Sequence, residues 1–63
     1  MFRLTIYGYR GGFHQIVIDK MEWDEKSKEW ALFIYNENHS KIYVGSYNPA
    51  NVLFTRVEKV AES

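Results

Sequence analysis

The stretch Ile16-Val-Ile-Asp-Lys-Met-Glu-Trp23 decides how this chain folds. Large apolar side chains recur at every second position on both sides of Asp19, as in a β-strand with one inward face, but they change phase there. Ile16 and Ile18 share one face of an extended strand, whereas Met21 and Trp23 fall on the other. A flat strand cannot bury both pairs, because a slip of one residue turns every side chain over. The stretch therefore predicts a bulge or a sharp bend near Asp19.

Period-two alternation also governs the rest of the chain, whose apolar residues are largely β-branched or aromatic. It predicts five strands, over residues 2–7, 13–23, 30–35, 41–47 and 52–60. Long bent strands let a small sheet curl on itself. We therefore expect an all-β fold, a five-stranded antiparallel meander curled into a small SH3-like or Sm-like barrel. Residues 1–63 form one domain in this prediction, and the last two to four residues are expected to be frayed.

The connections between these strands carry turn signals. Gly8, Gly11 and Gly12 can adopt the positive φ that a hairpin loop requires. Residues 22–31 are nearly mirror-symmetric and predict a hairpin with Trp23 opposite Trp30, whereas a helix through 20–30 is the competing interpretation. Residues 36–40 are a turn by composition, and 48–51 suggest a single 3₁₀ turn. A glycine at position 45 suggests a bend in the fourth strand.

The segment Gly45-Ser-Tyr-Asn-Pro-Ala-Asn-Val52 resembles the Gly-x-aromatic-Pro-x-Asn-x-Val end of SH3 domains. The likeness covers eight residues and includes an extra residue before the proline. The acidic-aromatic opening motif of that family is missing from this chain. The resemblance therefore implies a short turn that feeds a final strand, and it does not extend to the proline-rich ligand or the groove residues of the family.

Composition limits the kinds of function that the chain can have. Eight basic and eight acidic side chains cancel, so the long-range attraction to a polyanion that nucleic-acid coat proteins use is missing. Cysteine is absent, which removes disulfides as a source of stability and favours a reducing compartment. The sequence contains no long apolar run and no signal-peptide pattern. A soluble cytoplasmic protein without a membrane partner is the expectation.

Side chains with catalytic or metal-binding chemistry are sparse. His14 and His39 are the only imidazoles and lack thiol partners, so no metal site and no cofactor are expected. The serines fall in predicted loops or in the tail, outside any nucleophile elbow. Arg10-Gly-Gly precedes a strand rather than a helix, which is unsuited to a nucleotide-binding loop. A chain of this size also has difficulty enclosing a drug-sized pocket, so we do not expect an enzyme.

Aromatic surface is what remains, because two tryptophans, five tyrosines and four phenylalanines exceed what so small an interior can bury. The first hypothesis is a non-catalytic module that docks on another protein, as an adaptor or inhibitor, or that pairs edge strands with a second copy. The alternative is single-stranded nucleic-acid binding, in which Tyr and Phe rings stack on bases while Arg3 and Arg10 contact phosphate. A short accessory protein of a phage or mobile element would fit either hypothesis. The candidate binding residues are Tyr7, Tyr9, Arg10, Phe13, Tyr35, Tyr43 and Tyr47.

Overall fold

A computed structural model describes residues 1–60 and contains six β-strands, so the prediction of an all-β antiparallel protein is confirmed. The strands are β1 (Phe2–Tyr7), β2 (Phe13–Ile18), β3 (Lys20–Asp24), β4 (Glu29–Tyr35), β5 (Lys41–Tyr47) and β6 (Phe54–Lys59). Sheet A has the strand order β2-β1-β6, and sheet B has the order β3-β4-β5. A 3₁₀ turn at Pro49–Asn51 lies between β5 and β6, as the sequence predicts. The expected fraying of the chain end concerns residues 61–63, which lie outside the described part.

The phase change at Asp19 is where the chain passes from sheet A to sheet B. The strand predicted over 13–23 is divided there into β2 and β3, which explains six strands instead of five. The backbone N–H of Asp19 donates to the carbonyl of Phe33 at 2.9 Å, and the Asp19 carboxylate accepts from the Tyr35 N–H at 2.8 Å. Ile18 and Met21 can therefore both contact one core, because each belongs to a different sheet.

The expected closed five-stranded barrel is not formed by the described residues. Across the Asp19 bend the strands follow the meander order β6-β1-β2/β3-β4-β5. Within residues 1–60, however, no ladder of hydrogen bonds pairs β5 with β6, which closure of a barrel would need. Closure requires curvature and stagger along several strands. This chain concentrates its bending at one corner, and the result is a flat pair of layers with extents of 37 × 30 × 13 Å.

The core between the sheets is small. Leu4, Ile18 and Leu32 are its fully buried apolar residues within the described chain. Partly buried side chains pack around them, namely Ile6, Ile16, Met21 and Tyr47. Leu4 lies on the face of β1 that alternation predicts to be inward. So small an interior makes each of its three central side chains important for stability.

The hairpin loops largely agree with the sequence. Trp23 pairs with Trp30 across β3 and β4, and their ring centroids lie 5.3 Å apart in an edge-to-face arrangement. The hairpin prediction is confirmed, and the helix alternative for residues 20–30 is wrong. In the β1–β2 loop, the Gly8 N–H donates to the Gly12 carbonyl at 2.9 Å, and the Gly11 N–H donates to the Gly8 carbonyl at 3.3 Å.

Gly11 is the only one of the three loop glycines with positive φ, at 87°. A three-residue hairpin loop commonly combines a turn with one left-handed residue, which matches Tyr9, Arg10 and Gly11. Gly8 and Gly12 therefore do not need the conformational freedom that the sequence suggested for them.

Replacement of Gly11 by alanine tests this assignment. Nothing lies within 4 Å of a Cβ placed at Gly11, so the cost comes from the left-handed backbone alone, about 1–2 kcal/mol. Gly12→Ala is the matched control, because its added Cβ also meets nothing within 4 Å and its φ is not positive. We expect urea denaturation to show a lower midpoint for Gly11→Ala and a midpoint within error of the wild type, or higher, for Gly12→Ala. Equal effects would contradict the loop assignment.

Candidate functional site

Three aromatic rings lie side by side across the outer face of sheet A. Tyr7 occupies the central strand, with Phe13 directly opposite on β2 and Phe54 directly opposite on β6. The ring centroid of Tyr7 is 6.0 Å from that of Phe13 and 4.4 Å from that of Phe54. Phe13 is 60% exposed and Phe54 is 53% exposed, whereas Tyr7 is half-buried between them. We call these three residues the aromatic row.

Local sequence fixes the alignment of the row. The Gly8–Gly12 loop sets the register of β1 against β2, so Tyr7 meets Phe13 immediately before the turn. The β6 side is set by the Pro49–Asn51 turn, after which the Leu53 N–H donates to the Tyr7 carbonyl at 2.8 Å. The two strands that flank β1, β2 and β6, therefore both begin at the same level of the sheet, and each contributes its first residue, a phenylalanine, to the row.

Apart from Val17, the remainder of this outer face is polar. Two further lines of residues cross the sheet behind the aromatic row: Gln15, Thr5 and Arg56, then Val17, Arg3 and Glu58. Thr5 is buried, and its hydroxyl accepts a hydrogen bond from the Gln15 side chain at 3.3 Å. Arg56 Nε lies 3.7 Å from a carboxylate oxygen of Glu58, so the positive charge of this face is partly neutralised.

The loop between β1 and β2 extends the surface beyond the aromatic row. Tyr9 and Arg10 stand at the loop tip, and both are exposed. With Phe13, His14 and Asn51 they line a broad open depression of about 710 Å³. Phe13 belongs to both features. Four of the predicted binding residues, Tyr7, Tyr9, Arg10 and Phe13, thus lie at one end of sheet A.

Tyr35 and Tyr43 lie elsewhere, on the outer face of sheet B. The Tyr43 ring meets Phe33 edge-on at 5.9 Å, and the Lys41 ammonium lies 4.5 Å from the Phe33 ring centroid. Lys41 also contacts the Glu22 carboxylate at 2.7 Å. The pKa of Glu22 is lowered, mainly by its hydrogen bond with Lys41 and to a smaller extent by its hydrogen bond with Lys20. Lys41 therefore lies over the Phe33 ring, whereas Tyr43 is 59% exposed and Tyr35 is 44% exposed.

Tyr47 is separate from both outer faces. It projects into the space between the sheets and packs against the core. Burial raises the pKa of its phenol, and a hydrogen bond with the Thr55 side chain opposes that rise. Since Thr55 is on β6, this contact links sheet B to sheet A. Its environment is that of a structural residue.

Phe54 and Arg56 are surface residues that the sequence did not single out. Leu53 and Phe54 are adjacent apolar residues, so alternation alone does not say which of them points inward. The strand was also expected to begin at Val52, whereas β6 begins at Phe54. Only the pairing of Phe54 with Tyr7 places it on the outer face.

Over residues 1–60, no group of three or more His, Cys, Asp or Glu side chains is arranged to hold a metal ion. None of the helices in that range is long and apolar enough to cross a membrane. Comparisons with protein-family models, with curated proteins and with solved structures found no match.

Proposed function

We propose that the protein is a non-catalytic binding module that docks on a larger protein, as an adaptor or inhibitor, through the aromatic row. The observation that carries the proposal is the exposure of Phe13 and Phe54 on either side of Tyr7, with ring contacts that hold all three in place. Rings that are already ordered lose little conformational entropy on binding. The aromatic row therefore supplies apolar contact area at a low cost in conformational entropy.

The surroundings of the row support a protein partner. Tyrosine and arginine are frequent among the residues that dominate protein interfaces, and Tyr9, Arg10 and Arg56 border the aromatic row. A polar rim around an apolar centre is the usual anatomy of such interfaces. The zero net charge favours recognition by shape and apolar contact over steering by charge.

A second candidate, single-stranded nucleic-acid binding, draws on the same face. Tyr7 and Phe13 share that face with Arg3, as this hypothesis requires. Against it, one side of the Tyr7 ring is stacked on Phe54 at 4.4 Å, where a base would have to insert. Glu58 lies beside both Arg56 and Arg3, which weakens phosphate contact. We therefore rank this function below protein binding.

Paired substitutions on the two sheets test the proposal. The double variant Phe13→Ser, Phe54→Ser removes the two exposed rings of the aromatic row. The double variant Tyr35→Ser, Tyr43→Ser removes two rings from the outer face of sheet B and serves as the control. We expect a protein captured by the wild type from its native lysate to be depleted at least tenfold with the first variant as bait. The second variant should retain it. Circular dichroism of both variants checks that each remains folded.

The outcomes separate the candidate functions. If the Phe13→Ser, Phe54→Ser variant captured the partner as well as the wild type does, docking through the aromatic row would be contradicted. Labelled single strands titrated at low salt should show no binding at tens of micromolar protein. Binding that the Phe13→Ser, Phe54→Ser variant abolishes would assign the same surface to nucleic acid instead.

Broader assignments accompany this proposal. We regard the meander order across Asp19 as an open form of the SH3-like or Sm-like architecture, supported by the strand order and by the bend in the second strand. The cytoplasm is the proposed compartment, because a chain without cysteine derives no stability from an oxidising one. An accessory role in a phage or mobile element fits a small docking module.

A further inference from the structure

The free edge of β6 offers backbone groups for pairing. The Val60 N–H donates to the Met1 carbonyl at 3.1 Å, which makes Met1 and Val60 a hydrogen-bonded pair of the β1–β6 ladder. Such pairs alternate along antiparallel strands, so the peptide groups of Phe54, Arg56 and Glu58 point toward β1. Those of the intervening residues, Thr55, Val57 and Lys59, point away from it. In the described structure β6 is one of the two edge strands of sheet A, and no ladder within residues 1–60 uses those groups.

The other outermost strand, β5, is a poorer template. Leu32 pairs with Gly45 and Phe33 pairs with Tyr43, so Val44 is an extra residue that interrupts the β4–β5 ladder. A bulge of this kind twists an edge and discourages further pairing. The β1–β6 ladder has unbroken register from Phe54 to Lys59. An added strand is therefore better accommodated at β6.

Apolar surface accompanies this edge. Val57 is 55% exposed, although it lies on the inward face of sheet A opposite Leu4. It forms one wall of an apolar groove of about 210 Å³, together with Phe2 and Met21. A strand added beside β6 would place its own inward side chains next to Val57, over the mouth of the groove.

The total exposed area leaves room for an interface of standard size, such as a second copy of this chain would form. The accessible surface is 4928 Å², whereas a folded monomer of this mass has about 4,200 Å². The excess of about 700 Å² is close to the roughly 800 Å² that each partner contributes to an interface of standard size. Since only three apolar side chains are fully buried among the described residues, a larger shared interior would add stability that the monomer lacks.

Charges on β6 select one register. We propose that two copies pair through β6 as antiparallel strands about a two-fold axis at Val57. Arg56 of each copy then lies opposite Glu58 of the other, on the outer face, and the two Val57 residues meet on the inward face. An axis at Arg56 would place Arg56 opposite itself, and an axis at Glu58 would place Glu58 opposite itself. Like charges directly opposite are unfavourable, and an axis at Thr55 would pair only residues 54–56 within the strand, so the axis at Val57 is favoured.

Single cysteines report this register directly, because the natural chain has none. The two Val57 Cα atoms would be about 5.5 Å apart, within the range that a disulfide spans. Thr55→Cys is the matched control, since its two copies would lie four residues apart along the strands, roughly 13 Å. On oxidation we expect Val57→Cys to form at least ten times more disulfide-linked dimer than Thr55→Cys, Arg56→Cys or Glu58→Cys. Preferential linkage at any of the other three positions would overturn the proposed axis.

Charge reversal gives a second, noncovalent test. We expect Arg56→Glu to weaken dimerisation at least tenfold in sedimentation equilibrium, because it places two acidic pairs across the axis. The double variant Arg56→Glu, Glu58→Arg should restore the wild-type dissociation constant to within about threefold. A wild-type chain that stays monomeric at several hundred micromolar overturns the proposal. Phe54 of the aromatic row is also on β6, but the dimer does not depend on the proposed function, because its register is tested at Arg56, Val57 and Glu58 whereas docking is tested at Phe13 and Phe54.

Discussion

Replacement of Ile18 by alanine is expected to leave most of the chain unfolded. Ile18 is 1% exposed, and it is one of three fully buried apolar residues in the described structure. Truncation of a buried isoleucine to alanine costs about 2–5 kcal/mol, because apolar contacts are lost and a cavity remains. A core of this size yields only about 3–5 kcal/mol in total. A single substitution can therefore consume the whole stability of the protein.

Val17 provides the control within the same strand. It is 38% exposed on the outer face of sheet A, so Val17→Ala should cost less than about 1 kcal/mol. Urea denaturation followed by tryptophan fluorescence compares the two variants with the wild type. A stable Ile18→Ala variant, with a loss similar to that of Val17→Ala, would show that the core lies elsewhere.

Replacement of Asp19 by alanine is expected to cost about 1–3 kcal/mol, the second largest effect. The Asp19 carboxylate accepts a hydrogen bond from the Tyr35 N–H at 2.8 Å, and it lies 3.9 Å from the N-terminal ammonium group. Alanine removes the acceptor at the point where the chain passes between sheets. The Tyr35 N–H then loses this partner at the end of β4.

Asp19→Asn distinguishes the hydrogen bond from the charge. The amide oxygen of asparagine can still accept from Tyr35, so this variant should lose less than half as much stability as Asp19→Ala. The ion pair with the chain terminus is long and partly exposed, and pairs of this type contribute little. Equal losses for the two variants would assign the effect to charge, and no loss for either would show that the bend is maintained by the core alone. Thermal unfolding monitored by circular dichroism measures both.

Much of the fold was predictable because its determinants are local. The phase change between Ile18 and Met21 locates the bend, and the symmetry around Trp23 and Trp30 locates a hairpin. Closure of the sheet was not predictable, because it depends on curvature summed over all strands and on whether β5 and β6 reach each other. Alternation within any one strand carries no information about that distance.

The candidate surface was predictable in part for a related reason. The alternation along β1 predicted Tyr7 on the face of the strand opposite to the inward residue Leu4, and in the structure Tyr7 lies on the outer face of sheet A. The sequence could not assign Phe54 to either face of β6, because Leu53 beside it is also apolar and alternation does not say which of the two points inward. Tyr35 and Tyr43 lie on the outer face of the other sheet, because β4 and β5 belong to sheet B. Which strands are neighbours, rather than which residues are aromatic, determines the composition of the surface.

The conformation of the β1–β2 loop leaves the side chains at its tip free to vary. The left-handed position is occupied by Gly11, so the backbone requirement of the loop is met by a residue that presents no side chain. Tyr9 and Arg10 occupy central turn positions that accept most amino acids, and both are exposed. Selection, natural or in the laboratory, can therefore exchange these two side chains freely and alter the surface of the loop tip while the scaffold beneath it stays the same.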